Sequence, residues 1–135
     1  MAARCVLIVD DDPDTVAYVS SLLEDQDYWT RSASDAAQAL RALDGFRPDA
    51  ILVDVLMPGR SGLDLVVTLR SDPRYRNIPL VVVTGMDQIL EHDCQSYLMS
   101  LRGVSGPDAV LGKPIDPKAL LAVLAYVCGG LPVTA

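Results

Sequence analysis

The chain has no run of basic residues, only one histidine, and no apolar run longer than ten residues. Each shortage excludes something. With a net charge of −7 and no local basic exception, the surface repels nucleic acid, so direct nucleic-acid binding is not expected. No segment approaches the roughly 20 apolar residues that span a bilayer, so membrane insertion is not expected either. Met1-Ala2-Ala3-Arg4 runs straight into a strand-like segment and fits no secretory signal. Cys5, Cys94 and Cys128 are few, odd in number and set among apolar residues. They read as reduced core thiols of a cytoplasmic protein, not as a disulfide framework. Neither Gly-x-x-x-x-Gly-Lys nor Gly-x-Gly-x-x-Gly follows the first strand, which argues against nucleotide binding. His92 falls on the polar side of a helical pattern and reads as solvated. Alone it supplies no histidine phosphotransfer motif.

What is present is an ordinary globular composition. Of 135 residues, 50% are hydrophobic and 21% charged, enough for one domain with a core. That domain is expected over residues 1–130, with 131–135 a short tail. Strand and helix signals alternate throughout. Continuous apolar runs at Cys5 to Val9, Ala50 to Val53, Leu80 to Val83 and Ala109 to Leu111 predict parallel strands covered on both faces. Tyr28 to Ser32 is a more polar strand, suited to an edge. Helices are predicted after each strand. Asp12 caps the first, with Pro13 in its first turn and Val16, Val19, Leu22 and Leu23 on one face. Ser34 caps the second, with Ala37, Leu40 and Leu43 inward and Gly45 at its end. Gly62 to Arg70 carries Leu65, Val66 and Leu69. Asp87 to Arg102 carries Leu90, Cys94, Tyr97, Leu98 and Leu101. The last starts at Pro117, with Leu120, Leu121, Leu124 and Val127 inward. Five strands alternating with five helices predict an α/β, flavodoxin-like, doubly wound parallel sheet of order 2-1-3-4-5.

In such folds ligands bind beyond the carboxyl ends of the strands, where strand order reverses. Strand one ends on Asp10-Asp11-Asp12 and strand three on Asp54, and those strands are neighbours in this order. Clustered carboxylates repel one another, and a divalent cation removes that cost. Mg2+ takes one or two carboxylates and bridges to phosphate oxygens, and an aspartate beside it can attack phosphorus. Taken separately, Asp10-Asp11-Asp12-Pro13-Asp14 is also what a helix N-terminus looks like, and Asp54 could be a turn residue before Pro58. Two more strand ends reach the same edge. Thr84-Gly85 offers a hydroxyl and a close backbone approach, and Lys113-Pro114 offers an ammonium that could pair with Asp54.

Together these pieces resemble the receiver domain of two-component response regulators. The matching segments are Val6 to Pro13, Pro48 to Pro58 with Gly62, Ile78 to Gly85, and Lys113-Pro114, in the family's order. The resemblance implies that Asp54 is the phosphoacceptor. It implies that Asp10, Asp11 and Asp54 hold Mg2+ (or Mn2+) with the backbone carbonyl of Leu56, Asp11 as a direct ligand. Thr84, Gly85 and Lys113 take the phosphoryl-binding and switch positions, and the Lys113–Pro114 bond is commonly cis in the family. The implied partner is a histidine kinase or a histidine phosphotransfer domain. The implied output is a protein-interaction surface, including a homodimer through the fourth helix, fifth strand and fifth helix. Such a protein is a signalling switch and not an enzyme.

Two departures stand out. Val110 occupies the place of the family's usual Tyr or Phe, so no ring is there to couple to Thr84. The segment from Thr84 to Lys113 spans 113 − 84 = 29 positions, roughly two helical turns longer than usual. It calls for a longer fourth helix or a loop around 102–108. Leu56 and Met86 are both apolar where the family tunes phosphoryl lifetime, which favours slow hydrolysis. Two other classes of function stay open on the residues. One is a Mg2+-dependent phosphohydrolase with an aspartate nucleophile, which Pro13-Asp14 after Asp10-Asp11-Asp12 fits poorly. The other is a phosphate-independent binding module that has kept the residues.

Overall fold

The computed structural model describes residues 4–54, 62–84 and 107–129. Five parallel strands, β1 (Cys5–Val9), β2 (Trp29–Ala33), β3 (Ala50–Asp54), β4 (Leu80–Thr84) and β5 (Ala109–Gly112), form one sheet. Its order is β2-β1-β3-β4-β5. Four helices are described: α1 (Pro13–Asp25), α2 (Ala36–Asp44), α3 (Gly62–Ser71) and α4 (Pro117–Gly129). The doubly wound order is the expected one. The helix expected at Asp87 to Arg102, the loop at 102–108 up to Gly106, and the tail 131–135 lie outside the described residues, and with them His92, Cys94 and Tyr97.

The period-two alternation of each strand splits the core in two. Leu7, Val9, Ile51, Val53 and Val82 face one side and meet Ala39, Leu43, Leu65 and Leu69 of α2 and α3. Val6, Ile8, Leu52, Val81 and Leu111 face the other and meet Val19, Leu23, Leu120 and Leu124 of α1 and α4. All five residues of β3 are buried. Each such aliphatic side chain contributes about 1.5–3 kcal/mol on burial, so the central strands fix the frame. The register sets Val9 beside Val53 and Asp54 beside Val83. The C-terminal tips of β1, β3 and β4 are therefore level at one edge.

Three local expectations need correction. β2 runs Trp29–Ala33, one residue later than expected, because Ala33, and not Tyr28, closes the edge-strand pairing with Val9. The cap of α2 is Asp35, not Ser34: its carboxylate accepts the Gln38 N–H at 2.7 Å. The Gln38 side-chain oxygen in turn accepts the Ser34 N–H at 2.9 Å, a reciprocal box that satisfies two donors. With the helix starting at Ala36, its inward face is Ala36, Ala39 and Leu43, and Ala37 is exposed. The third correction concerns the thiols. Cys5 and Cys128 are free and half-buried, because they lie at the first residue of β1 and near the end of α4, where the core runs out. Burial still raises both thiol pKa values.

Candidate functional site

Leaving β1, the chain passes straight from core to carboxylate. Asp10 is only 5% exposed. Its Oδ1 accepts the Asp12 N–H at 2.9 Å, which pins one oxygen and leaves Oδ2 turned to the sheet edge. Asp11 is exposed. Asp12 has a different task. It caps α1, accepting the Thr15 hydroxyl at 2.9 Å and the Asp14 N–H at 3.0 Å. Those bonds, the Thr15 hydroxyl first, hold its carboxyl below the usual range. Asp54 ends β3 and is 5% exposed. One carboxylate oxygen each from Asp10, Asp11 and Asp54 lie within 4.8 Å of one another.

Lys113 reaches this cluster from the far side of the sheet. It follows β5, and its Nζ lies 3.2 Å from Asp10 Oδ2 and 3.5 Å from Asp54 Oδ2. Desolvation works against its charge. The Asp54 carboxylate and the bond to Asp10 outweigh that, so its pKa is raised. The Lys113–Pro114 peptide is cis.

Gly62 opens α3 directly against Asp54. A β-carbon there would collide with the Asp54 carbonyl oxygen and come within 2.8 Å of its carbon and 2.9 Å of Val53 Cγ1. Only a residue without a side chain lets the helix start so close to the strand tip. Thr84 ends β4, in register with Gly112. Val110 is half-buried and packs against the cluster on the α2 and α3 side. Leu56, Gly85 and Met86 lie outside the described residues.

The donor set suits a hard divalent ion. Three carboxylates and one ammonium leave two negative charges, all the ligand atoms are oxygens, and two of the acids are buried where repulsion is least screened. These residues therefore fit Mg2+ on their own chemistry.

The model of the response regulator receiver domain matches residues 6–125. The chain belongs to the response regulator receiver family. It is 33% identical over 117 residues to the DNA-binding response regulator MtrA of Mycolicibacterium smegmatis, covering 87% of this chain and 47% of that one. The chain thus spans about half the length of that relative. In structure it is similar to the chemotaxis protein CheY4 of Vibrio cholerae, with a TM-score of 0.81, 29% identity, and coverage of 93% of this chain and 99% of that one. The receiver domain of the sensor histidine kinase PA1611 from Pseudomonas aeruginosa PAO1 has the same TM-score, 0.81, at 25% identity, covering 95% and 99% of the two chains. That receiver carries magnesium coordinated in its active site cleft. Receivers are signalling switches of two-component systems.

Sequence reasoning paired Lys113 with Asp54 and missed Asp10, which is the shorter contact. It also missed Arg70, whose side chain is 6% exposed and paired with Asp108 at 2.8 Å. A signal existed: Arg70 falls four residues after Val66, on the inward stripe of α3, where a cation must find partners.

Proposed function

We propose that this receiver accepts a phosphoryl group on Asp54 from the phosphohistidine of a histidine kinase or a histidine phosphotransfer domain. The observation that carries the reading is the Lys113 ammonium set between the Asp10 and Asp54 carboxylates, each of which has an oxygen within 4.8 Å of one from Asp11. In the transfer, an Asp54 carboxylate oxygen forms the new O–P bond. The N–P bond of the donor breaks, and the imidazole nitrogen leaves with the electron pair. Asp10, Asp11 and Asp54 would hold Mg2+, with the carbonyl of Leu56 as a further ligand by family likeness. When bound, the ion supplies neutralising charge to the transferring group. Lys113 holds the Asp54 side chain before transfer and pairs with a phosphoryl oxygen after it. Thr84 and Gly85 take the remaining phosphoryl contacts. With Val110 in place of a ring, the response to phosphorylation travels without aromatic coupling.

The added charge on Asp54 biases a protein-interaction surface, through a separate partner or through a homodimer. A cytoplasmic location goes with this reading. No helix among the described residues is long and apolar enough to cross a membrane.

The test is binding of fluoroberyllate, a phosphoryl analogue, with Mg2+ present. The expected result is saturable binding that Asp54→Asn abolishes. Binding by neither protein would make the chain a phosphate-independent module. Sustained turnover of small phosphoesters would make it a hydrolase.

A further inference from the structure

At the sheet edge opposite the carboxylates, a buried cation joins four pieces of chain. Arg70 lies in the last turn of α3 with its side chain 6% exposed. Its Nη1 donates to the carbonyls of Arg76 at 2.6 Å and Ile78 at 3.0 Å, and its Nη2 donates to Asp108 Oδ2 at 2.8 Å. The same Oδ2 accepts the Leu80 N–H at 2.8 Å. The Asp108 N–H donates back to the Leu80 carbonyl, also at 2.8 Å. The end of α3, the turn before β4, the first residue of β4 and the residue before β5 are thereby held together.

β5 needs such help. It has four residues, lies at an edge of the sheet and pairs with β4 alone. Only Leu111 of the four is buried, so apolar packing specifies its register weakly. The Asp108 side chain is 46% exposed, so solvent screens the pair and its net contribution to stability is small. Arg70–Asp108 is therefore better explained by the geometry it imposes than by stability. What β5 delivers at its other end is Lys113.

We propose that Arg70 and Asp108 are positioning residues for Lys113. They hold β5 in the register that pairs Val81 with Ala109 and Thr84 with Gly112, and so set the ammonium between Asp10 and Asp54. Coupling runs along one short, hydrogen-bonded strand. The proposal rests on the phosphoacceptor reading, in which Lys113 contacts the phosphoryl group.

The experiment measures fluoroberyllate affinity, with Mg2+, for the full chain and for Asp108→Asn, Lys113→Ala and the double variant. Amide hydrogen exchange is followed in the same proteins. Asparagine keeps an oxygen for the Leu80 N–H and loses only the charge facing Arg70, and the Asp108 side chain is 46% exposed, so this variant is expected to fold. Arg70→Met repeats the test from the other partner. Asp108→Asn is expected to exchange faster at Leu111 to Lys113 and to bind the analogue about 10-fold to 100-fold more weakly. The loss should vanish when Lys113 is already alanine, since the two then act through one group. An equal loss in the Lys113→Ala background, or no loss at all, overturns the proposal. If the unsubstituted protein does not bind the analogue, the phosphoacceptor reading falls, and exchange alone decides: unchanged protection of Leu111 to Lys113 in Asp108→Asn sinks the clamp.

Discussion

At the scale of single residues, Lys113 governs the electrostatics of the acidic edge. Its ammonium offsets charge that Asp10 and Asp54 would otherwise leave at close range in a poorly screened place. Because its folded pKa is raised, the sign of its effect on stability is fixed. Its contribution is fully present below the ordinary lysine value of 10.5 and is lost as pH rises through the higher folded value. Urea unfolding of the metal-free protein and of Lys113→Met should therefore show a stability difference that is constant from about pH 8 to 10. That difference should shrink at more alkaline pH. A gap that persists undiminished beyond the lysine range would mean that the carboxylates do not hold this ammonium. The pairing with Asp54 was legible, because both residues end strands that point to one edge. The shorter contact with Asp10 was not, because strand order gives adjacency and not which of two neighbouring acids a flexible side chain reaches.

At the scale of elements, α2 shows where local signals are ambiguous. Ser34 and Asp35 are both good caps and stand side by side. Alanines at 36, 37 and 39 give no size contrast to fix the inward face. The carboxylate bond to Gln38 N–H decides between them. Asp35→Ala should cost about 1 kcal/mol in chemical unfolding, whereas Ser34→Ala should stay within about 0.5 kcal/mol. Comparable losses in the two variants would mean that the cap is shared. By contrast β1, β3 and α3 were legible almost to the residue. The strands are unbroken apolar runs stopped by an acid, and α3 has large residues at one spacing. Arg70 escaped because its partner, Asp108, is distant in sequence and no periodicity links the two.

At the scale of the molecule, a doubly wound sheet gathers its costs at one edge. Burial of β1 and β3 on both faces holds Asp10 and Asp54 close whether or not their charges are compensated. Folding strength is thus spent on keeping like charges together. This predicts a reversal in rank. With metal removed by a chelator, Asp11→Asn should be more stable than the unsubstituted protein, since one repelling carboxylate is gone. With Mg2+ at 100 times its dissociation constant, the unsubstituted protein should gain about 2.7 kcal/mol and overtake the variant. Thermal unfolding of both proteins with and without Mg2+ reads this directly. Parallel curves that never cross would remove the cation from the account. The topology itself could be foreseen from alternation and crossover handedness. The charges at its edge could be counted from the strand ends, but that Lys113 bridges two of the acids at once was visible only in the structure.

The bare α-carbon at position 62 has a mechanical consequence. With no side chain between them, the start of α3 and the tip of β3 share a seam of main chain on main chain. A push on that helix has no cushion in which to dissipate before it arrives at the acid. Even the smallest insertion there, a single methyl, would wedge the joint open.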